Sequence, residues 1–437
     1  MNFDRLRQLL IQKAIEGKLV PQKKDEPTVQ LIGSPLENTP FSIPQKWQWF
    51  CLNQLGHLQT GATPSTSISE YYGTDLPFIK PSDISFDGQL ITRKDGLSLL
   101  GAKVARTIEM DSVMMVCIGA TIGKCCVVRS KVAFNQQINS ITPISSIDCD
   151  YLHYVMRSAF FQQLVIQSAS STTLPILNKK KWGTLPIPVP PLEEQRRIVA
   201  RLNELLTVIK QAEDAYTDLQ SLGKTLRERI LQKAIEGKLV PQLDEEPAVE
   251  QIGEAPDEIP FVIPSKWRWV RLSATGKIVG GGTPKTSIDD YWNGDIPWVT
   301  PADLGKLTSQ FVSCGAKLIT QAGLDNSSAK LMPAGSVVYS SRAPIGYVAI
   351  TQNPLCTNQG CKSLVPDETL ITSDWGYWCL KARTNDIISR ASGTTFKEIS
   401  GKGVGETWIP LPPLTEQHRI VAKLNELLPL VDQMTAV

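Results

Sequence analysis

The eleven residues Gln12-Lys-Ala-Ile-Glu-Gly-Lys-Leu-Val-Pro-Gln22 recur unchanged as Gln232 to Gln242, 220 positions further along the chain. A repeat at a fixed offset reveals architecture before any secondary structure is assigned. This one extends outward on both sides. Phe41, Ile43, Pro44, Lys46, Trp47, Trp49 and Leu52 return as Phe261, Ile263, Pro264, Lys266, Trp267, Trp269 and Leu272, and Gly61, Thr63 and Pro64 return as Gly281, Thr283 and Pro284. Asp75, Pro77, Pro81 and Asp83 match Asp295, Pro297, Pro301 and Asp303. At the far end, Pro190-Pro-Leu-Glu-Glu-Gln-Arg-Arg-Ile-Val-Ala-Arg-Leu-Asn-Glu-Leu-Leu206 returns with few changes as Pro412 to Leu428, an offset of 222. The 437-residue chain is therefore two copies of one unit of about 221 residues.

The two strongest repeats meet in the middle of the chain. Ile198, Leu202, Leu205, Ile209, Ala212, Tyr216, Leu219, Leu226 and Ile230 follow the alternating four-and-three spacing of a heptad seam, with Gly223 as the one gap. Glu193 and Glu194 follow Pro190-Pro191 where a helix dipole favours acids, and Gly237 with Pro241 supplies a stop. A helix from Leu192 to Gly237 is about 69 Å long. The same helix exists a second time in two pieces, its first half Leu414 to Met434 and its second half Phe3 to Glu16. Laying the split helix antiparallel on the intact one predicts a pseudo-two-fold axis near Tyr216.

Between the helices, short β-rich runs such as Val113 to Ile118 and Val337 to Ser340 alternate with helical patches such as Tyr151 to Gln167 and Trp375 to Ile388. The expectation is an α+β chain of two mixed α/β domains separated by a long antiparallel coiled-coil helix pair, a cyclic internal repeat. Its boundaries read as an N-terminal helix over 1–22, a linker over 23–40 and a first domain over 41–190. A central helix over 191–240, a linker over 241–260, a second domain over 261–412 and a C-terminal helix over 413–437 complete it.

Composition narrows the function. With 45 basic against 43 acidic side chains and 20% charged residues, the chain reads as an ordinary globular protein, so attraction to nucleic acid must come from local clusters. Met1 to Leu10 lacks the apolar run of a secretory signal, and the most apolar window, Val113 to Ile122, is about half of what a membrane helix needs. The chain is expected in the cytoplasm, with no membrane association. The nine cysteines form no CxxC pair and His57, His153 and His418 lie far from them, so no metal site is expected and the thiols should be free.

Two strings imitate catalytic motifs. Gly119-Ala-Thr-Ile-Gly123-Lys124 is one residue short of a phosphate loop, and Cys125 replaces the hydroxyl that would bind magnesium. Gly401-Lys-Gly403-Val-Gly405 resembles a glycine-rich cofactor loop, but Trp408-Ile-Pro-Leu-Pro follows in place of the helix such a loop opens. The Asn or Asp followed by Pro-Pro-aromatic that holds a target adenine is absent. These omissions argue against a self-contained methyltransferase or nuclease.

The blocks opening Ile43-Pro44-x-x-Trp47-x-Trp49 and Ile263-Pro264-x-x-Trp267-x-Trp269, the stretch Gly281-Gly-Thr-Pro-Lys-Thr286 and the helix-opening Pro-Pro-Leu-x-Glu-Gln resemble the specificity subunit of type I restriction-modification enzymes. The resemblance covers essentially the whole chain. It implies a non-catalytic reader of double-stranded DNA whose two target-recognition domains recognise an asymmetric, bipartite site. It also implies two modification (methyltransferase) subunits and two restriction (translocase/nuclease) subunits as partners. S-adenosylmethionine for adenine N6 methylation, and ATP and Mg2+ for restriction, would be held by those partners and none by this chain. Two alternatives stay open: the specificity subunit of a related system whose methylase and nuclease share one polypeptide, and a coiled-coil scaffold that binds DNA without reading sequence.

Comparing the units ranks the residues. Trp47/Trp267, Thr63/Thr283, Asp83/Asp303 and Asn135-Gln136/Asn358-Gln359 are common to both, which suits scaffold or phosphate contact, although Asn and Gln can also pair with adenine. Base reading is expected where the units diverge, at 84–110 against 304–333, 117–121 against 340–344 and 167–181 against 389–403. Arg93, Lys94, Lys103, Arg106, Lys285, Lys306, Lys330, Ser341 and Arg342 are candidates for DNA, and Lys179, Lys180 and Lys181 form the densest phosphate candidate. Tyr71-Tyr72 and Tyr291-Trp292 read either as core or as wedges for a base step. Arg196, Arg197, Arg201, Arg227 and Arg229 lie off the heptad seam, where they could meet partner subunits or DNA, or form a solvated face.

Overall fold

The computed structural model describes residues 2–30, 34–37, 39–91, 95–170, 174–393 and 397–436. The chain divides after Tyr216 into two compact units, Met1–Tyr216 and Thr217–Val437. The central helix, Leu192–Ile235, is continuous over 44 residues and contributes one half to each.

The opening repeat is a helix stop. In the N-terminal helix, Phe3–Ile15, Gly17 adopts φ +70°, its N–H donates to Ala14 O at 3.1 Å, and the Lys18 N–H donates to Lys13 O at 2.8 Å. At the end of the central helix Gly237 has φ +68°, with the same bonds from Gly237 to Ala234 (3.1 Å) and from Lys238 to Lys233 (2.8 Å). This paired cap uses glycine because the left-handed region penalises a Cβ. A Cβ on Gly17 would also strike Pro44 and Trp47, and one on Gly237 would strike Pro264 and Trp267. Two constraints thus fix the glycine in each copy.

Each half of the central helix carries a short antiparallel partner inside its own unit. In the first, the Phe3 ring lies 6.0 Å from that of Tyr216, Arg7 pairs with Glu213, and Ile11, Ala14 and Ile15 enter one core with Ile198 and Leu202. In the second, the C-terminal helix Leu414–Thr435 returns along the chain: Arg227 pairs with Asp432 and Gln220 donates to Thr435 O at 2.6 Å. Gly223, the gap in the heptad, is buried against the Thr435 methyl, which any larger residue would meet. The seam is thinner than the spacing suggests, since Ala212 is exposed and Leu226 is 39% exposed.

The domains close on themselves in the same manner. Gln48–Cys51 pairs antiparallel with Pro186–Val189, and Arg268–Arg271 with Trp408–Leu411, tying the start of each domain to its end. The first unit holds a four-stranded antiparallel sheet, in the order 56–60, 138–143, 112–116 and 125–128. A second sheet there includes a parallel pair between Leu76–Ile79 and Val132–Phe134. The second unit has a five-stranded sheet, with Val337–Ser341 between Lys362–Pro366 and Ile345–Thr351, and a three-stranded one built on Trp292–Val299. Helices Cys149–Arg157 and Ser373–Ala382 fill the cores, as an α+β arrangement requires.

The Pro-Pro-Leu-x-Glu-Gln motif locks domain to helix. Gln195 is fully buried; its Oε1 accepts from Asp148 N at 2.8 Å, and its Nε2 donates to Ser146 O (3.1 Å) and Pro190 O (2.9 Å). Gln417 repeats this with Thr372 N (2.9 Å), Leu370 O (2.9 Å) and Pro412 O (3.0 Å). The preceding Glu194 and Glu416 are buried, and burial pushes both carboxyls above the usual range while the Trp47 and Trp267 indoles oppose it.

Candidate nucleic-acid interface

A shared polar clamp forms near the divergent loops. Thr63 donates its hydroxyl to Gln136, and Thr283 donates to Gln359; both glutamines are exposed. The clamp needs glycine beside it, because a Cβ on Gly61 would strike the Asn135 carbonyl and one on Gly281 the Asn358 carbonyl. The asparagines themselves hold turns: Asn135 Oδ1 accepts from Gln137 N at 3.1 Å and Asn358 Oδ1 from Gly360 N at 2.9 Å. Asp83 Oδ2 accepts from Lys80 N and Asp303 Oδ2 from Thr300 N, each at 2.9 Å. Of the common polar residues, the glutamines retain an exposed amide.

The basic candidates fall into distinct groups. Arg93 and Lys94 lie outside the described residues. Lys179, Lys180 and Lys181 are exposed on the short helix Lys179–Gly183 and make no ion pair among the described residues. Lys103, Lys285, Lys306 and Lys330 are exposed. Arg106 is exposed but donates to Thr60 O at 2.7 Å. Arg342 is half-buried and pairs loosely with Glu398, at 3.5 Å.

Ser341 requires a correction. Every residue of the strand Val337–Ser341 is buried, and the Ser341 hydroxyl donates to Gly360 O at 3.1 Å, so it is a strut within the frame and not an exposed group. Arg197 also departs from expectation. It pairs with the largely buried Glu26 of the linker and holds that carboxyl below the usual range, a bond repeated between Arg419 and Glu246. Arg227 is engaged with Asp432 within its unit. Arg196 pairs with Glu193 (2.6 Å) and Arg201 with Glu204 (2.7 Å) along an exposed helix face, and Arg229 is exposed.

The aromatic pairs are anchored. Tyr72 donates to Pro64 O at 2.8 Å, and Trp292 donates to Lys285 O at 3.2 Å with its ring edge-on to Trp298. Gly401–Gly405 is a short helix capped by Ser400, whose Val404 is buried and whose Gly405 lies close to Ser273. Gly119 and Gly123, at φ +104° and +93°, turn the chain between strands Ser112–Val116 and Cys125–Val128. Both glycine strings are thereby explained by backbone shape and packing. No disulfide forms, and burial pushes Cys117, Cys125 and Cys361 up to about 12. Among the described residues no group of three or more His, Cys, Asp or Glu is placed to hold a metal, and no helix is long and apolar enough to cross a membrane.

The profile described as the type I restriction modification DNA specificity domain matches residues 44–215 and again 264–434. The chain belongs to that family. Among its relatives, the MjaIX specificity subunit of Methanocaldococcus jannaschii is 38% identical over 37% of this chain and 38% of its own length. The EcoR124I/EcoR124II specificity subunit of Escherichia coli is 32% identical over 38% of this chain and 42% of its own. Those two alignments thus span well under half of each relative, whereas the EcoAI specificity subunit of Escherichia coli aligns over 97% of this chain and 88% of its own length at 22% identity. The fold is shared with the HsdS subunit from Thermoanaerobacter tengcongensis, at TM-score 0.58 and 22% identity over 90% of this chain and 92% of that one. It is also shared with a chain from a study of complex assembly and conformational transition of the type I R-M system, at TM-score 0.69 and 23% identity over 91% and 94%.

Three features of this specificity chain escaped the sequence. Glu398, Ile118 and Ile176 occupy the divergent loops, yet only backbone pairing, Ile118 with Ile176 and Arg342 with Glu398, brings them together. The signal was present: placing the loops in register at offsets of 224 and 222 would have aligned the two pairs.

Proposed function

We propose that this chain is the non-catalytic sequence-specificity subunit of a type I restriction-modification complex. Its two domains each read half of an asymmetric, bipartite double-stranded DNA target, and it directs adenine N6 methylation or restriction by two modification and two restriction subunits. S-adenosylmethionine, ATP and Mg2+ belong to those partners. The reading rests chiefly on one observation: two units repeat the same clamp, helix stop and glutamine lock while differing in the loops beside the clamp. A frame that stays constant while its loops change is what reading two different half-sites demands. The central helix is continuous over 44 residues, about 66 Å against roughly 34–36 Å per DNA turn.

The test is a genome-wide map of N6-methyladenine in cells with the gene intact and deleted, the methylating partner being expressed in both. Loss of one split motif, methylated on both strands, is the expected result. An unchanged map refutes the proposal.

A further inference from the structure

At one junction the two units share a set of backbone bonds while most of the side chains around it differ. In the first unit the Cys117 N–H donates to Gln137 O and the Cys117 carbonyl accepts from Leu177 N, both at 2.8 Å. In the second, Ser341 makes the same bonds to Gly360 (2.8 Å) and Ile399 (3.1 Å). The next residue bridges to a second backbone pair: Ile118 faces Ile176, itself paired with Ser170, and Arg342 faces Glu398, itself paired with Ser392. The equivalences are therefore Ile118 with Arg342, Ile176 with Glu398, and Gln137 with Gly360. One unit carries an aliphatic pair where the other carries an ion pair.

The difference extends to the surroundings. A Cβ on Gly360 would sit 3.3 Å from Arg342 Nε and 3.1 Å from Asn358 Oδ1, so the missing side chain makes room for the guanidinium. Lys362, on the following strand, donates to Gln359 O at 2.7 Å, which adds a second cation beside the clamp. In the first unit the same edge is apolar: Ile176 is 38% and Leu174 is 53% exposed. Ile176 and Leu174 leave aliphatic surface in water, and Arg342, whose one ion pair among the described residues is the 3.5 Å contact to Glu398, carries a fork of five donors.

We propose that this junction is a base-reading position in each unit. Arg342, oriented by Glu398, reads a guanine edge in one half-site, and Ile118 with Ile176 contacts a thymine methyl in the other. The chemistry follows from what the major groove displays: guanine offers O6 and N7 to a guanidinium fork, and thymine alone offers a methyl group. The inference rests on the reading of the chain as a DNA specificity subunit. Because backbone bonds hold the junction, its side chains can change without disturbing the frame.

The experiment is the methylation map repeated with Arg342→Ala, Arg342→Lys and the triple replacement Ile118→Arg, Gln137→Gly, Ile176→Glu, each checked for wild-type thermal unfolding. Arg342→Ala should relax a single guanine position in one half-site, lowering the preference roughly 5- to 150-fold, with the other half-site intact. Arg342→Lys, which keeps the charge but loses the fork, should retain methylation and relax the same position. The triple variant should alter one base in the opposite half-site. A motif unchanged at every position in the arginine variants overturns the proposal, and so does uniform weakening at all sites, which marks a phosphate contact. Both outcomes leave the specificity function standing, whereas a map insensitive to deletion of the whole gene removes that function and the junction with it.

Discussion

Replacing Gln195 with alanine tests whether the helix-opening motif holds the first domain to the central helix. The side chain is fully buried and completes three bonds, accepting from Asp148 N and donating to the carbonyls of Ser146 and Pro190. Each bond is worth about 0.5–1.5 kcal/mol net, and a buried partner left unsatisfied raises that to about 1–3. One of the three partners is buried and two are part-buried, where water recovers some of the loss, so the total comes to about 3–5 kcal/mol. Asp148 also caps the helix Cys149–Arg157 through its side chain, so loosening its backbone should weaken that helix start as well. For a unit of this size the cost corresponds to a Tm lower by roughly 6–20 °C. Calorimetry of the full chain reads it directly. Gln195→Glu, which keeps the acceptor but removes both donors, should not recover the loss. A change below about 0.5 kcal/mol for Gln195→Ala would refute the reasoning, since a buried amide with three partners cannot be silent.

Further outcomes are expected. Inserting four residues in helical register after Tyr216 lengthens the central helix by about 6 Å, and the methylated motif should gain one or two base pairs of spacer; an unchanged spacer would show that the helix length does not set it. Arg197→Ala strands Glu26, whose carboxyl is held low by the guanidinium. A carboxyl with a depressed folded pKa stabilises above its unfolded range and loses that contribution as pH falls through the folded one. The variant should therefore cost about 1–2 kcal/mol at pH 7, between exposed and buried pairs, and the deficit should shrink in acid; a deficit independent of pH contradicts this. Replacing Lys179, Lys180 and Lys181 together by alanine should weaken DNA binding at all sequences and reduce the salt slope by up to about 2.7, with the motif unchanged. A changed base in the motif would reassign them to reading.

How far the sequence reached depended on the range of the interactions involved. The mixed α/β character of the domains and the long helix between them were legible because helix stops and heptads are local. The structure places the central helix at Leu192–Ile235, and Gly237 ends it through its own φ and its neighbours' carbonyls. The interface was less legible. Ser341 falls in a divergent stretch and so is a candidate for DNA by sequence, but every residue of its strand is buried, so alternation carries no signal. Arg197 lies off the seam by spacing, which leaves contact or solvent open, yet its partner Glu26 is 171 positions away, beyond any helical spacing. Leu226 fits the seam by spacing and remains 39% exposed, because spacing says which face a residue takes and not whether another helix covers it there.

The repeat itself supplies a sharper criterion than residue identity. Tyr151 and Trp375 differ, yet Tyr151 donates its hydroxyl to Pro188 O at 2.7 Å and Trp375 its indole N–H to the equivalent Pro410 O at 3.0 Å. The residue changed and the bond survived, which marks a position that serves the frame. At Ile118 and Arg342 the backbone bonds survive while the side chains exchange oil for charge and acquire new partners. Substitution at the first kind of position must preserve a donor aimed at a fixed carbonyl, or leave a buried acceptor empty at about 1–3 kcal/mol. Substitution at the second kind leaves no buried group unsatisfied, so its free energy is felt only when something outside the chain meets that surface. Positions of the second kind, sorted by bonds kept rather than residues kept, are where two copies of one fold can come to read different DNA.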